Sequence, residues 1–310
     1  MSKKATREAL GDEMLKLGEE NKNIYVIDCD VSKSCKTQAF AAKYPAQHVN
    51  AGISEQNAVG MAAGLATTGK IPFVVTYAVF GSMRAVEQIR QEVCYPGLNV
   101  KILCSHGGLT PANDGASHQC VEDMGILRTI PNMTVIMPAD YTSARKLIRA
   151  AAEYEGAVYL RFTRDAVEDI YETSDEFVIG KANCIRTGKD LAIFANGDTV
   201  SIALEAVKAL AKEGVDAALY DIHTIKPIDE ECIRNAISTS GKIITVEDHN
   251  IMNGLGSAVC EIAAGMGHGI VKRIGVQDHF GESAPYEELL RINGITWENI
   301  YHTAHKLLEI

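Results

Sequence analysis

The sequence predicts an α/β fold made of two doubly wound units, each with a parallel sheet covered by helices on both faces. Short apolar runs alternate with helical patterns along most of the chain. The run Ile-Pro-Phe-Val-Val-Thr at 71–76 is typical, because strands buried on both faces are continuously apolar. The pattern loosens over residues 173–185 and then starts again. We therefore place one unit at residues 1–180 and a second at residues 181–310.

The first unit begins with an amphipathic helix over residues 5–20, whose apolar residues recur on one side. Strands and helices then follow one another in the order of repeated βα units. The predicted strands are 23–28, 48–50, 71–76, 100–104, 135–138 and 158–162, and the predicted helices are a stretch ending near 44, one starting at 55, 84–93 and 142–154. In the second unit the predicted strands are 191–194, 217–220, 243–247 and 271–275, and the predicted helices are 200–214 and one starting near 254.

Composition argues against several classes of function. The 310 residues are 46% hydrophobic and 23% charged, as in a soluble globular protein with room for two cores. A net charge of -10 without a basic stripe argues against nucleic-acid binding. No apolar run reaches the roughly 18 residues of a membrane span. The eight cysteines are scattered without a Cys-x-x-Cys pair, so we expect reduced thiols and a cytoplasmic location.

The most informative stretch surrounds Glu55. It is the only ionisable side chain between residues 49 and 69, and the helix that it begins is rich in alanine and glycine. Ser54 is placed to cap that helix. A buried carboxyl with no cation nearby in the sequence favours its neutral form, which can donate a hydrogen bond. The alternative is a glutamate that only complements the helix dipole in the first turn.

Polar side chains collect after the predicted strands of the first unit, where parallel sheets bind ligands. Residues 105–119 have no helical or strand periodicity and carry His106, Asp114 and His118, and such loops in compact domains are usually functional. Histidine can carry protons near neutral pH and aspartate can accept a hydrogen bond from a hydroxyl, but structural histidines bonded to the loop backbone are an open alternative. The other side chains after strands are Asp30, Ser34, Glu55, Tyr77, Phe80, Arg161 and Arg164.

Two of these side chains also have a purely structural interpretation. An aromatic residue at the position of Phe80 usually belongs to the core. An arginine at a strand end, such as Arg164, is either the partner of a surface carboxylate or a clamp for an anion.

Several motifs together resemble a known family. Gly-Ile-Ser-Glu-Gln at 52–56, the Ala/Gly helix after it and Arg-Ala-Val-Glu-Gln-Ile at 84–89 are similar to the pyrimidine-binding domain of thiamine-diphosphate enzymes. The loop at 105–119 has His, Asp-Gly and His-Gln where transketolases have them, with Ala-Ser at 116–117 in place of the usual Pro-Thr. Over essentially its whole length the chain resembles the C-terminal half of transketolase. It is similar to the C-terminal subunit of a transketolase that is split into two chains.

The resemblance implies how the cofactor would be bound. Glu55 would hold the pyrimidine ring of thiamine diphosphate and drive it to its imino form. Phe80 would stack on that ring, with Tyr77 as the reserve candidate, and Asp30 would be a further cofactor contact.

The resemblance implies substrate contacts as well. Asp114 and His118 would contact the hydroxyls of a sugar, and His118 would also take part in catalysis. The residues implied for the sugar's phosphate are Ser34, His106, Arg164 and Lys3. Of these, Lys3 aligns with a family arginine and would supply a point charge in place of a bidentate grip.

A partner chain is also implied. The family holds a divalent metal on the cofactor's diphosphate through Gly-Asp-Gly, whereas the Gly-Asp pairs at 11–12 and 197–198 here lack the second glycine. We expect no metal ligands in this chain and a separate N-terminal transketolase subunit that holds Mg²⁺ or Ca²⁺, assembled with this chain as two copies of each. Residues 181–310 are expected to serve packing and dimer contacts.

The implied reaction is the transfer of a two-carbon ketol unit from a ketose phosphate to an aldose phosphate. Three alternatives stay open at this stage. The chain could resemble a 1-deoxyxylulose-5-phosphate synthase or the beta chain of a 2-oxo acid dehydrogenase in its activity, or it could be a non-catalytic binding protein on the same fold.

Overall fold

The computed structural model describes residues 3–309, in which strands and helices alternate as the apolar runs predict. The strands are β1 (Lys3–Ala5), β2 (Ile24–Asp28), β3 (His48–Asn50), β4 (Ile71–Tyr77), β5 (Lys101–Ser105), β6 (Met133–Ile136), β7 (Ala157–Arg161), β8 (Ala166–Glu168), β9 (Asn183–Arg186), β10 (Leu191–Ala195), β11 (Ala217–Asp221), β12 (Thr224–Lys226), β13 (Lys242–Asn250) and β14 (Ile270–Val276). The α-helices are α1 (Thr6–Glu20), α2 (Gln38–Lys43), α3 (Glu55–Ala66), α4 (Val86–Gln88), α5 (Asp123–Arg128), α6 (Tyr141–Glu153), α7 (Thr199–Lys212), α8 (Glu230–Ser240), α9 (Leu255–Met266), α10 (Tyr286–Ile292) and α11 (Trp297–Leu308).

The larger sheet has seven strands in the order β12-β6-β7-β5-β4-β2-β3. The six strands from the first unit are parallel to their neighbours, which confirms the predicted parallel sheet. The seventh strand was not predicted. Strand β12 comes from the second unit and pairs antiparallel with β6, where Thr224 lies opposite Ile136. The open edge of β6 thus receives a strand from outside its own unit.

The second unit has a five-stranded sheet in the order β14-β13-β10-β11-β9. Its pairs are parallel except for the edge strand β9, which runs antiparallel to β11. A short antiparallel ribbon of β1 and β8 lies apart from both sheets. Residues 169–182 form the connection between the units, and the boundary that we predict at residue 180 lies within it.

The apolar core continues from one unit into the other. A single cluster of buried side chains includes Ile27 and Val74 from the first sheet together with Phe194 and Val259 from the second unit. Separate clusters fill the far face of each sheet, against α1 and α6 in the first unit and against α7 and α11 in the second. Within residues 3–309, no helix is both long and apolar enough to cross a membrane.

Two local predictions need correction. Ser54 does not cap α3, because its hydroxyl donates to the Ala51 carbonyl oxygen at 2.6 Å and makes no cap bond to the helix. The predicted regular helix at 84–93 is mostly π-helical, over Phe80–Arg84 and Ile89–Cys94, with the short helix α4 between them. A π turn holds an extra residue and is often found at functional sites.

Candidate active site

Apart from Lys3, the predicted site residues end or follow five strands that are neighbours in the larger sheet. Strands β7, β5, β4, β2 and β3 lie side by side and parallel, so their carboxyl ends form one edge. The segments leaving this edge carry Asp30, Ser34, Glu55, Tyr77, Phe80, His106, Asp114, His118 and Arg164. The topology therefore brings together side chains that are far apart in the sequence.

Glu55 is the first residue of α3, and only 2% of it is exposed. One carboxylate oxygen, Oε2, lies 2.8 Å from Nη1 of Arg84, and the other accepts a long hydrogen bond from Thr76 Oγ1 at 3.5 Å. Glu55 has no cation nearby in the sequence, as stated above, but the fold brings a distant one to its carboxylate. Arg84 is 29 residues away in the sequence, but the π-helical segment after β4 turns its guanidinium back towards the carboxylate.

Arg84 also covers the ring of Phe80. Its guanidinium carbon lies 4.3 Å from the ring centroid, within the range of a cation–π contact. The Arg84 side chain is 45% exposed, whereas Glu55 is buried. We call the space that the guanidinium occupies, between the Phe80 ring and the Glu55 carboxylate, the slot. A planar group with N–H donors thus lies between an aromatic face and a buried carboxylate.

Four aromatic side chains join the segment after β4 to the segment after β5. The rings of Tyr77 and His106 have centroids 4.0 Å apart, and the Phe80 and His118 rings meet edge to face at 5.7 Å. Tyr77 and Phe80 are stacked at 6.1 Å. Phe80 is therefore not a simple core residue, because it faces both His118 and Arg84.

His106 is buried, and its backbone adopts a left-handed conformation with φ of 64°. Its Nδ1 lies 2.5 Å from the Ser105 hydroxyl. Burial lowers the pKa of His106 to about 3, with smaller contributions from the charges of Arg7, Arg164 and His118. The ring is therefore neutral near neutral pH and can take part in hydrogen bonds, while positive charge at this place comes from the two arginines.

Asp114 and Arg164 form an ion pair. Nη1 of Arg164 lies 2.8 Å from Asp114 Oδ2 and also donates to the Pro111 carbonyl oxygen at 2.7 Å. The Arg164 side chain is 34% exposed and the Asp114 side chain 45%, so a competing ligand can easily break the pair. His118 is half-buried nearby, and its Nδ1 lies 2.9 Å from the Ser117 hydroxyl.

Asp30 lies on the side of the site nearest to β3. Its φ is 63°, and its carboxylate accepts a hydrogen bond of 3.1 Å from the Asn50 side chain. Asp28, at the end of β2, has a structural role instead, because it accepts bonds from the Val31 backbone and the Thr37 hydroxyl. The exposed carboxylate of Asp30 is the one open to a ligand.

Among residues 3–309, no cluster of three or more His, Cys, Asp or Glu side chains has the arrangement of a metal site.

The comparisons with known proteins fit this geometry. Residues 2–169 match the family described as "Transketolase, pyrimidine binding domain", and residues 180–300 match "Transketolase, C-terminal domain". The chain belongs to the transketolase family. Transketolases use thiamine diphosphate together with a divalent metal ion.

Similar transketolase chains include several that are parts of divided enzymes. The chain is 46% identical over 300 residues to a "Putative transketolase C-terminal section" from Methanocaldococcus jannaschii, covering 96% of this chain and 94% of that one. It is 40% identical over 301 residues to one of the subunits of an apulose-4-phosphate transketolase from Phocaeicola vulgatus, covering 97% and 96%. A solved structure described as "Split gene transketolase, inactive beta4 tetramer" has a TM-score of 0.90, 43% identity and 98% coverage of both chains. The predicted family and fold are confirmed.

Arg7 was not predicted as a site residue, but it lies beside Ser34 and its charge acts on His106, two of the residues that we expect at the phosphate. Nη1 of Arg7 donates to the Ser34 carbonyl oxygen at 3.1 Å, and its buried Nε has no hydrogen-bond partner among residues 3–309. Lys3 lies in β1, where its ammonium pairs with Glu168 of β8 at 3.1 Å. The missed signal is that Arg7 belongs to the first turn of α1, close to the sheet edge, whereas Lys3 precedes the helix.

Proposed function

We propose that this chain is the pyrimidine-binding subunit of a transketolase that uses thiamine diphosphate to move a two-carbon ketol unit from a ketose phosphate to an aldose phosphate. The observation that carries this proposal is the planar cation of Arg84, held between the Phe80 ring and the buried carboxylate of Glu55. The neighbouring cations Arg7 and Arg164 suit the phosphate of a sugar. The test is ketol transfer by the chain with its partner, with products analysed over a panel of ketose phosphates.

The residues present fit the cofactor. A guanidinium is flat and bears N–H donors, as an aminopyrimidine is, so the slot that accepts Arg84 suits a pyrimidine ring stacked on Phe80 and hydrogen-bonded to Glu55. When bound, thiamine diphosphate supplies a nucleophilic carbon that cleaves and forms carbon–carbon bonds next to a carbonyl. Tyr77 would support the position of Phe80, and Asp30 would contact the cofactor from the β3 side.

Binding of the pyrimidine in this slot requires Arg84 to leave it. We therefore expect Arg84→Ala to strengthen thiamine-diphosphate binding to the assembled enzyme by about two- to fivefold, because a part-exposed ion pair no longer competes. The measurement is the cofactor Kd by calorimetry. Arg90→Ala is the matched control, since Arg90 is an exposed arginine of the next π-helical segment that bonds Gln91. Weaker binding in Arg84→Ala would mean that the guanidinium stays in the cofactor site.

The substrate would enter beside the cofactor, over the Tyr77 and His118 rings. Asp114 would accept a hydrogen bond from a sugar hydroxyl once its pair with Arg164 opens, and His118 would hold or move a proton at a hydroxyl next to the reacting carbon. His106, which is neutral, would donate or accept a hydrogen bond at the phosphate. Ser34 would lie at the same phosphate, next to Arg7.

Removing either arginine of this phosphate site is expected to weaken substrate binding selectively. Arg164→Ala and Arg7→Ala should each raise KM for fructose 6-phosphate by about tenfold or more, with a smaller change in kcat, because a charge-assisted bond to a remote anion is lost. Unphosphorylated fructose should be affected much less. Lys3→Ala is the control, since its ammonium pairs with Glu168. An equal loss on both sugars, or a loss in Lys3→Ala instead, would place the phosphate elsewhere.

We further propose that a separate N-terminal transketolase chain supplies the diphosphate and metal site, with Mg²⁺ or Ca²⁺, and that two copies of each chain assemble. Support comes from one relative named as a C-terminal section, from another named as one subunit among others, and from the split-gene neighbour, described as an inactive beta4 tetramer. Both Gly-Asp aspartates also have other partners. Asp12 accepts a hydrogen bond from Tyr141 at 2.5 Å, and Asp198 is buried against Tyr286.

A further inference from the structure

The loop of residues 105–119, which carries Asp114 and His118, is held by the second unit. The Leu109 amide donates to the carboxylate of Asp248 on β13, at 3.1 Å from Oδ1 and 3.0 Å from Oδ2. The Gln119 side chain donates to the Glu282 carbonyl oxygen at 2.8 Å. The Ser283 hydroxyl donates to the Asn113 carbonyl oxygen. The start, middle and end of the loop are therefore each attached to the second unit.

The loop and the second unit approach one another closely at two of these attachments. Gly108 has φ of 64°, and a Cβ there would overlap the Asp248 carboxylate and the Arg161 guanidinium. A Cβ on Gly281 of the second unit would overlap the Gln119 side chain of the loop. Since glycine alone allows so close an approach, the loop and the second unit are fitted to one another at both places.

Asp248 is itself fixed by several groups. It is fully buried, and its backbone carbonyl oxygen accepts a bond of 2.6 Å from Arg161, which lies at the end of β7. The Tyr286 hydroxyl lies 3.2 Å from Asp248 Oδ2 and also bonds Asp198. Burial, followed by the charge of Asp198, raises the pKa of Asp248 to about 7. The carboxyl, which is costly to bury, therefore has the loop amide as one of its hydrogen-bond donors.

We propose that Asp248 is a positioning residue for catalysis: through the Leu109 amide it sets where the loop places Asp114 and His118 against the substrate. The second unit then serves the reaction directly, in addition to packing. This inference rests on the proposed function, because it assigns the loop to the sugar.

The test compares Asp248→Ala and Asp248→Asn with wild type in two measurements. Hydrogen exchange of the full chain should be about tenfold faster over residues 107–119 in Asp248→Ala, because the Leu109 amide loses its acceptor. In the complex with the partner chain, KM for fructose 6-phosphate should rise and kcat should fall, while the Kd of thiamine diphosphate stays the same. Asp248→Asn keeps an acceptor oxygen, so its losses should be clearly smaller.

A matched control separates positioning from general stability. Asp221 is also a fully buried carboxyl of the second unit, bonded to Tyr171 rather than to the loop. Asp221→Ala should lower the melting temperature without faster exchange in the loop. Ser283→Ala changes an exposed hydroxyl, so it should fold normally and speed exchange around Asn113.

Three results would decide the matter. If loop exchange in Asp248→Ala and Ser283→Ala equals that of wild type, the proposed attachment is overturned. If exchange rises but KM and kcat for the sugar do not change, the attachment has no catalytic role and the inference is again overturned. If the wild-type complex transfers no ketol unit at all, the proposed function fails, while the exchange results still report on the attachment itself.

Discussion

Glu55→Gln is expected to lower kcat by about a hundredfold or more in the assembled enzyme, and Glu55→Ala to do the same. Glu55 is a buried acid at the base of the slot and its carboxylate already binds an N–H donor there. Glutamine preserves the size of the side chain but cannot exchange a proton with a bound pyrimidine, so the chemical step is lost while the fold is kept. Ketol transfer is measured by product analysis under saturating cofactor.

The control for this change is Glu87→Gln, because Glu87 is an exposed glutamate of the same segment as Arg84 and bonds its neighbour Gln88. Circular dichroism and the mass of the assembly should match wild type in all three variants. Turnover close to wild type in Glu55→Ala would show that another group handles the pyrimidine.

The second large effect is a loss of activity when the partner chain is left out. Purified alone, this chain should show no ketol transfer and no binding of thiamine diphosphate at micromolar concentrations, with Mg²⁺ or Ca²⁺ present. The cofactor's diphosphate needs a metal held by several oxygens, and the aspartates of both Gly-Asp pairs are bound to tyrosines instead. Adding the N-terminal chain should restore both properties. Calorimetry and the product assay measure them.

The partner chain alone serves as the control, since it would lack Glu55 and Phe80 and should also be inactive. Light scattering of the mixture gives the assembly size, for which we expect two copies of each chain. Full activity of this chain by itself, with metal and cofactor added, would refute the division of the site between two chains.

Features that depend on a residue and its near neighbours in the chain could be predicted from the sequence. Apolar runs such as that of β4 locate the strands, and because parallel strands share one edge, the residues after them meet as predicted. The isolation of Glu55 among apolar residues also predicted its burial correctly. These features depend on the type of a residue and its near neighbours, which can be read directly from the chain.

The contacts made by long side chains could not be predicted in this way. The pairing of Arg84 with Glu55 depends on a π turn, whose extra residue changes the direction of the side chains within that turn. The contact of Arg7 with Ser34, and of Lys3 with Glu168, depends on where α1 begins in the chain. Asp248 meets the loop only because two units pack together, and no local pattern around 248 indicates that contact.

Strand β12 bears on how this protein can be divided or recombined. It belongs to the second unit in sequence but completes the first unit's sheet, and Lys226 at its end donates to the Arg128 and Ile130 carbonyl oxygens. Separating the chain at residue 180 would leave the edge of β6 without its partner strand β12. It would also expose to solvent the core to which Ile27 and Phe194 both belong. The two units therefore depend on each other for a sheet edge and a core, and a chimera with another transketolase would have to exchange them together.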